Sequence, residues 1–339
     1  MSADSMNFTH LQNMSDEYGL FEHALFDQPR REHGYCVDDV ARGIIVLERA
    51  EVQAPELRSL VQIYRRFLNG SQAHSGRFVN RRDADGMWQG YEHIADHWGR
   101  ALWALGTMVN HDPDVAICYD ALTRFERSSL HRSPFLRSMM FAALGAAEVL
   151  QSMPDHKRAK SLLRDAAAMI PRPSNDAWPW PEARLAYANG VVPEVLLLAG
   201  HYLSDREALH DGIYLLNWLM QTQMSDGALS VTPVGGWAPG DLGQSFDQQP
   251  IEVAALVDAC TTAYDLTSDR RWLQGIELGA GWFDGLNDSG TRMYERSVGG
   301  GYDGLTADGR NENMGAESTL CFLSVEQRSL AYLGASAWT

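Results

Sequence analysis

The sequence predicts an all-α protein in which six helical hairpins close into a ring, an (α/α)6 toroid. Three observations carry that prediction. Helical periodicity runs along most of the chain, whereas strand-like alternation is scarce. Two kinds of helix alternate, one apolar almost all round and one apolar along a single stripe. Long loops rich in Gly, Trp and Pro lead into each apolar helix, and only short links follow it.

The apolar helices are expected to begin near Val37 ("VDDVARGIIVLERA"), His93 ("HIADHWGRALWALGTMV"), Pro134 ("PFLRSMMFAALGAAEVL"), Ala188 ("ANGVVPEVLLLAGHYL"), Asp247 ("DQQPIEVAALVDACTTAY") and Asn313 ("NMGAESTLCFLSVEQ"). A helix apolar on every side is a buried one. The first one-sided helix, "ELRSLVQIYRRFL", lines up Leu57, Leu60, Val61, Tyr64 and Leu68, with Arg58, Arg65 and Arg66 outside the stripe. "DVAICYDALTRFERS", "DHKRAKSLLRDAAAMI", "DREALHDGIYLLNWLMQ" and "RRWLQGIELGAGWFDGL" read the same way. Short links make antiparallel hairpins. The apolar helices then run in one direction as an inner barrel, and the long loops gather at one end, where small β-hairpins are expected. Only "RSLAYLGASAWT" follows the sixth apolar helix, so the last outer helix is missing or very short. An open helical solenoid is the competing architecture; unequal repeats and the lack of a capping repeat argue against it. The expected organisation is one domain over residues 1–339, with 1–30 an extension packed on the ring.

Composition narrows the function. Lys plus Arg number 28 against 44 Asp plus Glu, a net charge of −16. Such a chain is a poor partner for nucleic acid or an anionic membrane. The four cysteines, Cys36, Cys118, Cys260 and Cys321, show no CxxC or Cys/His ligand spacing, so zinc is not expected. They read as small buried hydrophobes of a reducing compartment. "MSADSMNFTH" lacks the basic and apolar regions of a signal peptide, and no apolar run reaches about 18 residues. The expected setting is the cytoplasm, with no metal and no cofactor.

Function is usually carried by loops on a rigid scaffold, so the loop end is where a site is expected. Its acids are Asp38, Asp39, Asp96, Asp247 and Glu312, the candidate catalytic residues. Around them are expected His33, Tyr35, His97, Trp178, Trp180, Tyr187, Asn189, Gln248, Gln249, Tyr302, Asp303, Asn311, Asn313 and Glu317, the candidate substrate-binding residues. Aromatic faces stack on sugar rings, carboxamides bond hydroxyls, and paired carboxylates cleave glycosides. An acid in a first helical turn stays ionised, which suits Asp38 or Asp247 to a base or an electrostatic stabiliser. A general acid must stay protonated; Asp39, crowded by Asp38, and Glu312, near other acids, fit that need. The plainer readings are a capping role for one of Asp38 and Asp39, a packing role for His97, and ion pairs that neutralise Arg42 and Arg100 inside buried helices.

The segments "GYCVDDVARG", "DHWGRALWALG", "WPWPEARLAYANGVVPEVLLLAG", "FDQQPIEVAAL" and "NENMGAES" resemble, in this order, a bacterial family of (α/α)6-toroid, glycosidase-like domains often encoded beside or fused to glycosyltransferases. The resemblance runs from about residue 10 to about residue 325. It implies the six-hairpin fold, an oligosaccharide or glycoside substrate and a glycosyltransferase as a partner. Two departures stand out. The family tends to read Asp-Asp-Asn-Ala-Arg where this chain has Val40, and Tyr-Asp-Asn-Ala-Arg where it has Tyr187-Ala188-Asn189-Gly190-Val191, so a carboxylate and an arginine of the second motif are missing here.

The leading expectation is therefore a glycoside hydrolase working with two acids. A non-catalytic glycan-binding partner of a glycosyltransferase is one alternative. A sugar 2-epimerase is another, since such enzymes use this architecture with histidines as acid and base; His33 and His97 are the candidates. "NDSGTRMYE" matches the spacing of the terpene-cyclase magnesium motif, but Gly290 and the surrounding turn residues put it in a loop rather than on a helix, and the match is a chance one.

Overall fold

The computed structural model describes residues 6–50, 54–174, 177–241, 245–334 and 338. The chain forms two compact units, Ser2–Met169 and Ile170–Thr339.

The first unit opens with α1 (Thr9–Asn13), the hairpin β1 (Ala24–Leu25) and β2 (Gln28–Pro29), and β3 (Tyr35–Cys36). Three helical hairpins follow: α2 (Val37–Arg49) with α3 (Pro55–Ser71), α4 (Asp96–His111) with α5 (Val115–Ser128), and α6 (Leu136–Ser152) with α7 (Lys157–Ala167). Between α3 and α4 lie β4 (Phe78–Arg82) and β5 (Trp88–His93), which pair antiparallel and extend β3 into a three-stranded sheet. The N-terminal segment is held to this unit by Tyr35, whose hydroxyl donates to Asp16 at 2.7 Å and whose ring stacks on Phe21.

The apolar helices of this unit run parallel, as their end contacts show. At one end Ser138, in the first turn of α6, donates to Asp96, the first residue of α4, at 2.6 Å. At the other end Glu148 of α6 accepts from Arg49 of α2 at 3.1 Å and from Asn110 of α4 at 2.9 Å. Small residues let α4 and α6 touch backbone to backbone. A Cβ on Gly99 would lie 2.2 Å from the Ser138 carbonyl oxygen, one on Gly106 2.2 Å from that of Gly145, and one on Gly145 2.2 Å from that of Leu102. Side chains cannot swing away from a backbone clash, so the helices themselves must move apart. Gly145→Ala is expected to lower stability by about 1–3 kcal/mol, read from urea denaturation.

The second unit holds α8 (Val191–Tyr202) with α9 (Arg206–Thr222), α10 (Pro250–Thr267) with α11 (Arg271–Phe283), and α12 (Ala316–Tyr332). Three short antiparallel strand pairs sit in its loops as hairpins with two-residue or three-residue arms: β6 (Met224–Ser225) with β7 (Ala228–Leu229), β8 (Tyr294–Glu295) with β9 (Gly300–Gly301), and β10 (Gly304–Thr306) with β11 (Gly309–Asn311); single bridges join Leu185 to Trp237 and Gln248 to Leu305. Glu252, in the first turn of α10, accepts from the backbone N–H groups of Ala188 and Asn189 just before α8. Farther along, Arg328 of α12 donates to Asp258 of α10 at 2.8 Å, and Tyr332 donates to Asp265. These rising pairs make α8, α10 and α12 parallel in turn. No α-helix follows α12 among the described residues.

The one-sided helices begin where the sequence supplies caps. Asp114 accepts from the Ala116 N–H ahead of α5, and Asp205 accepts from the N–H groups of Glu207 and Ala208 ahead of α9. Asp205→Ala is expected to cost about 1 kcal/mol, seen as a lower midpoint of thermal unfolding. No described helix is long and apolar enough to cross a membrane.

Candidate active site

In the first unit the N-terminal ends of α2, α4 and α6 meet beside the β3–β4–β5 sheet. Asn80 of β4 caps α2 by accepting from the Val37 N–H at 3.1 Å. With that end already capped, the two adjacent acids diverge. Asp39 is buried: its Oδ1 accepts from Arg42 at 2.6 Å and its Oδ2 from the Cys36 thiol at 3.1 Å. Asp38 is half-buried, and its carboxylate makes no side-chain hydrogen bond or ion pair with a described residue. It lies near enough to His97 to act on its charge, as does Asp96. Asp39 was expected as a general acid because Asp38 crowds it. In the structure its two oxygens are taken up by Arg42 and the Cys36 thiol, which leaves Asp39 less available to a substrate than Asp38. The pairing expected for Arg42 is the one observed.

His97 is buried, and its Nε2 donates to the Phe78 carbonyl oxygen at 3.0 Å. Burial pushes its pKa below the ordinary histidine value, against the pull of Asp38 and Asp96, so the ring is neutral at pH 7. Arg100, one turn on, is buried with its guanidinium 3.7 Å from the centre of the Phe141 ring. His33 is partly exposed, packs edge-on against His23 at 5.1 Å and lies 3.9 Å from Glu32. The two histidines expected as acid and base in an epimerase contact different residues. Tyr35 is a core residue here rather than a sugar platform, bonded to Asp16 and packed on Phe21.

Asp39 also belongs to the one group among the described residues whose donor atoms could share an ion, with Glu22 and Cys36, all within 4.8 Å. These donors are already engaged. Arg81 pairs with Glu22, Arg42 with Asp39, and burial first, then Asp39, pushes the Cys36 thiol well above its ordinary pKa. A protonated thiol is a poor metal ligand.

In the second unit the residues ahead of α8, α10 and α12 divide into exposed and buried sets. Asp247 is exposed, and its carboxylate has no side-chain bond to a described residue. Tyr187 is 40% exposed. Gln249 and Trp178 are half-buried, Trp178 donating to the Glu182 carbonyl oxygen at 2.9 Å. Glu317 and Asn313 are half-buried, and Asn311 is exposed with its side chain accepting from the Asn313 N–H. Asp303 accepts from the Gly315 N–H at 2.7 Å and so caps α12. Trp180 is buried against Trp218, and Tyr302 lies under the Arg310 guanidinium at 3.6 Å.

Three residues expected at the site serve as scaffold or as one half of an ion pair. Gln248 is fully buried; it donates to Asp288 at 2.6 Å and accepts from the Trp282 indole at 3.1 Å. Asn189 is fully buried and donates to Glu252 at 2.8 Å. Glu312 is exposed and accepts from Arg310 on both oxygens, at 3.2 and 3.3 Å. Glu312 thus faces an arginine rather than the cluster of acids expected around it. The altered Tyr187–Val191 motif has its own logic. Glu252 binds the backbone at 188 and 189, and Gly190 has no room for a side chain, since its Cβ would sit 2.2 Å from the Ala255 carbonyl oxygen.

No protein-family model matches the sequence, and no curated protein matches it in sequence. Solved structures match in fold. Cellobiose 2-epimerase from Bacillus thermoamylovorans superposes with a TM-score of 0.71 over 96% of this chain and 97% of its own, at 12% identity. D-mannose isomerase gives 0.65 over 96% and 95%, at 14% identity. The cellulase Cel9M of C. cellulolyticium, in complex with cellobiose, gives 0.61 over 93% and 88%, at 11% identity. The fold is an (α/α)6 toroid. At these identities the likeness fixes the fold alone.

Sequence reasoning overlooked Asn80, Ser138, Glu252 and Asp288, the residues that hold the toroid's helix entries and their loops. Ser138 and Glu252 sit in first turns, where a hydroxyl or an acid often binds a neighbouring backbone or side chain. Asn80 lies within a strand and carries no local signal.

Proposed function

We propose that this toroid is a carbohydrate-active enzyme, and that its reaction is hydrolysis of a glycosidic bond with Asp38 as the reactive carboxylate. The observation that supports it is the contrast between neighbours. Asp39, Asp96 and Glu312 all accept hydrogen bonds from other side chains, whereas Asp38 is half-buried at a helix start with no such partner. A carboxylate with open lone pairs can stabilise an oxocarbenium-like centre, attack it or activate water. Asp247, in the second unit, is exposed and likewise makes no side-chain hydrogen bond or ion pair with a described residue. The solved structures of this fold include proteins named as acting on cellobiose and mannose and as a cellulase, which favours a sugar as substrate.

A second reading is epimerisation or isomerisation of a free sugar. It is favoured by His97, which is neutral and lies near Asp38 and Asp96; a neutral imidazole can take a proton from carbon beside a carbonyl. In that reading His97 acts without His33. The test is turnover of a panel of oligosaccharides and free sugars, with products resolved by mass and by NMR. New reducing ends are expected. Absence of any product across β- and α-linked glucans, mannans and their monosaccharides would overturn the enzymatic reading and leave glycan binding.

A further inference from the structure

Near its C-terminal end α2 carries a second buried acid. Glu48 lies ten residues beyond Asp38, about 15 Å along the helix, and is 7% exposed. Its carboxyl is hydrogen-bonded with that of Asp112, in the link between α4 and α5, whose side chain is also 7% exposed. Ionised carboxylates only accept, so a bond between two of them requires a proton. The charge balance around the pair says the same. Arg65 of α3 reaches Asp112 at 3.4 Å, and Asp112 also accepts from the Asp114 N–H at 2.8 Å. One guanidinium neutralises one carboxylate, and two acids sharing a buried place do not both ionise.

The other charged groups packed around the pair are engaged elsewhere or lie in water. Arg49 and His111 face Glu148 of α6, at 3.1 and 3.4 Å. Asp114 caps α5, and Arg58 of α3 is exposed. The Cys118 thiol of α5 donates to the Asp112 carbonyl oxygen at 3.2 Å, and burial, then Asp112, raises its pKa. Burial first, and then Asp112, push the Glu48 pKa up to about 8, against the pull of Arg65.

We propose that Glu48 and Asp112 share one proton, and that this proton is a latch joining α2 to the α4–α5 link, which mild alkali opens. Its loss leaves two adjacent carboxylates facing one arginine. They repel, and the ionised Glu48 turns toward the cavity of about 400 Å³ that Leu47, Val61, Arg65 and Ile117 help to line beside it. The link is then held to α2 by packing alone. The sign of the pH dependence follows. The folded chain keeps a proton that the unfolded chain releases at about pH 4.3. Stability therefore falls as pH rises from about 4.3 to about 8, with the unfolding constant growing about tenfold per pH unit, and levels off above.

The experiment compares the intact wild type with E48Q, which puts an amide donor in the place of the shared proton and does not titrate. Urea unfolding at pH 5.5, 6.5 and 7.5 is expected to show the wild-type unfolding constant rising about tenfold per pH unit more steeply than that of E48Q. Amide exchange protection over residues 112–118, normalised for the intrinsic effect of pH, is expected to fall about tenfold or more between pH 7 and pH 9 in the wild type and to hold in E48Q. Carbon-13 NMR of the glutamate carboxyls covers the case in which E48Q does not fold. Glu326 is also raised by burial, to about 7, and E326Q removes its signal. One further glutamate is expected to titrate near 8, and D112N, which takes away the neighbouring charge, is expected to lower that midpoint by about one pH unit or more. Parallel pH dependence of wild type and E48Q, protection that falls equally in both, or no glutamate besides Glu326 that titrates above about pH 6.5 and responds to D112N, overturns the proposal.

Discussion

Replacing Glu148 by alanine is expected to remove about 3–5 kcal/mol of stability. Glu148 is the point at which the C-terminal ends of α2, α4 and α6 are tied: Arg49 donates to one oxygen, Asn110 to the other, and His111 lies 3.4 Å away. Both members of the Arg49–Glu148 pair are about nine-tenths buried, so the variant removes a buried carboxylate that Arg49, Asn110 and His111 share. The same geometry dictates a pH dependence. Burial opposes ionisation of Glu148 most strongly, but His111, Arg49 and Asn110 together outweigh it and hold the carboxyl well below its ordinary value. A carboxyl depressed in the folded state stabilises the fold fully above its unfolded value of about 4.3, and the contribution is lost as pH falls through the folded one. Urea denaturation at pH 7 and pH 4 should show the wild type losing more stability on acidification than the alanine variant. A loss below about 1 kcal/mol at pH 7 would mean the tie is no stronger than a surface pair.

Asp38→Asn is expected to lower turnover by about 10²–10⁴-fold while leaving stability within about 0.5 kcal/mol of wild type. Both halves of that expectation come from one fact: the Asp38 carboxylate makes no side-chain hydrogen bond or ion pair that the variant could break. Asp39→Asn should do the reverse in stability. It disrupts a buried pair with Arg42 and the bond from Cys36, at a cost of about 3–5 kcal/mol. Adjacent residues with opposite phenotypes would be hard to explain if both acids were merely helix-start charges. Steady-state rates and thermal unfolding of the two variants, measured side by side, give the answer.

The scaffold was the legible part of the sequence. Apolar-all-round helices announce burial directly, and the structure starts each of them at most three residues after the predicted point: Asp96 against His93, Leu136 against Pro134, Val191 against Ala188, Pro250 against Asp247 and Ala316 against Asn313. A loop residue that bonds the first turn reads as part of the helix pattern, although its backbone is still extended, as at Gln249. Six hairpins were expected with the last outer helix missing or very short, and no α-helix follows α12 among the described residues.

The candidate site was legible only as composition. Loop-end residues could be named, but which of them face outward depends on partners far away in sequence. Gln248 reads like a sugar-binding carboxamide until Asp288 and Trp282, about 40 and 34 residues on, take both its ends. Asn189 reads the same way until Glu252 claims it. The split between Asp38 and Asp39 rests on Arg42, one turn along the helix, and on Asn80, which relieves both acids of capping. The first of those was visible as an i,i+3 pair and the second was not.

The central claim, that this toroid uses Asp38 to break a glycosidic bond, is tested most directly by isotope labelling during turnover. In H₂¹⁸O the account predicts heavy oxygen at the newly formed anomeric carbon and, in D₂O, no deuterium on ring carbon. Deuterium beside the carbonyl carbon of an uncleaved sugar, with no ¹⁸O-labelled fragment, would contradict it and assign the chemistry to proton transfer at His97.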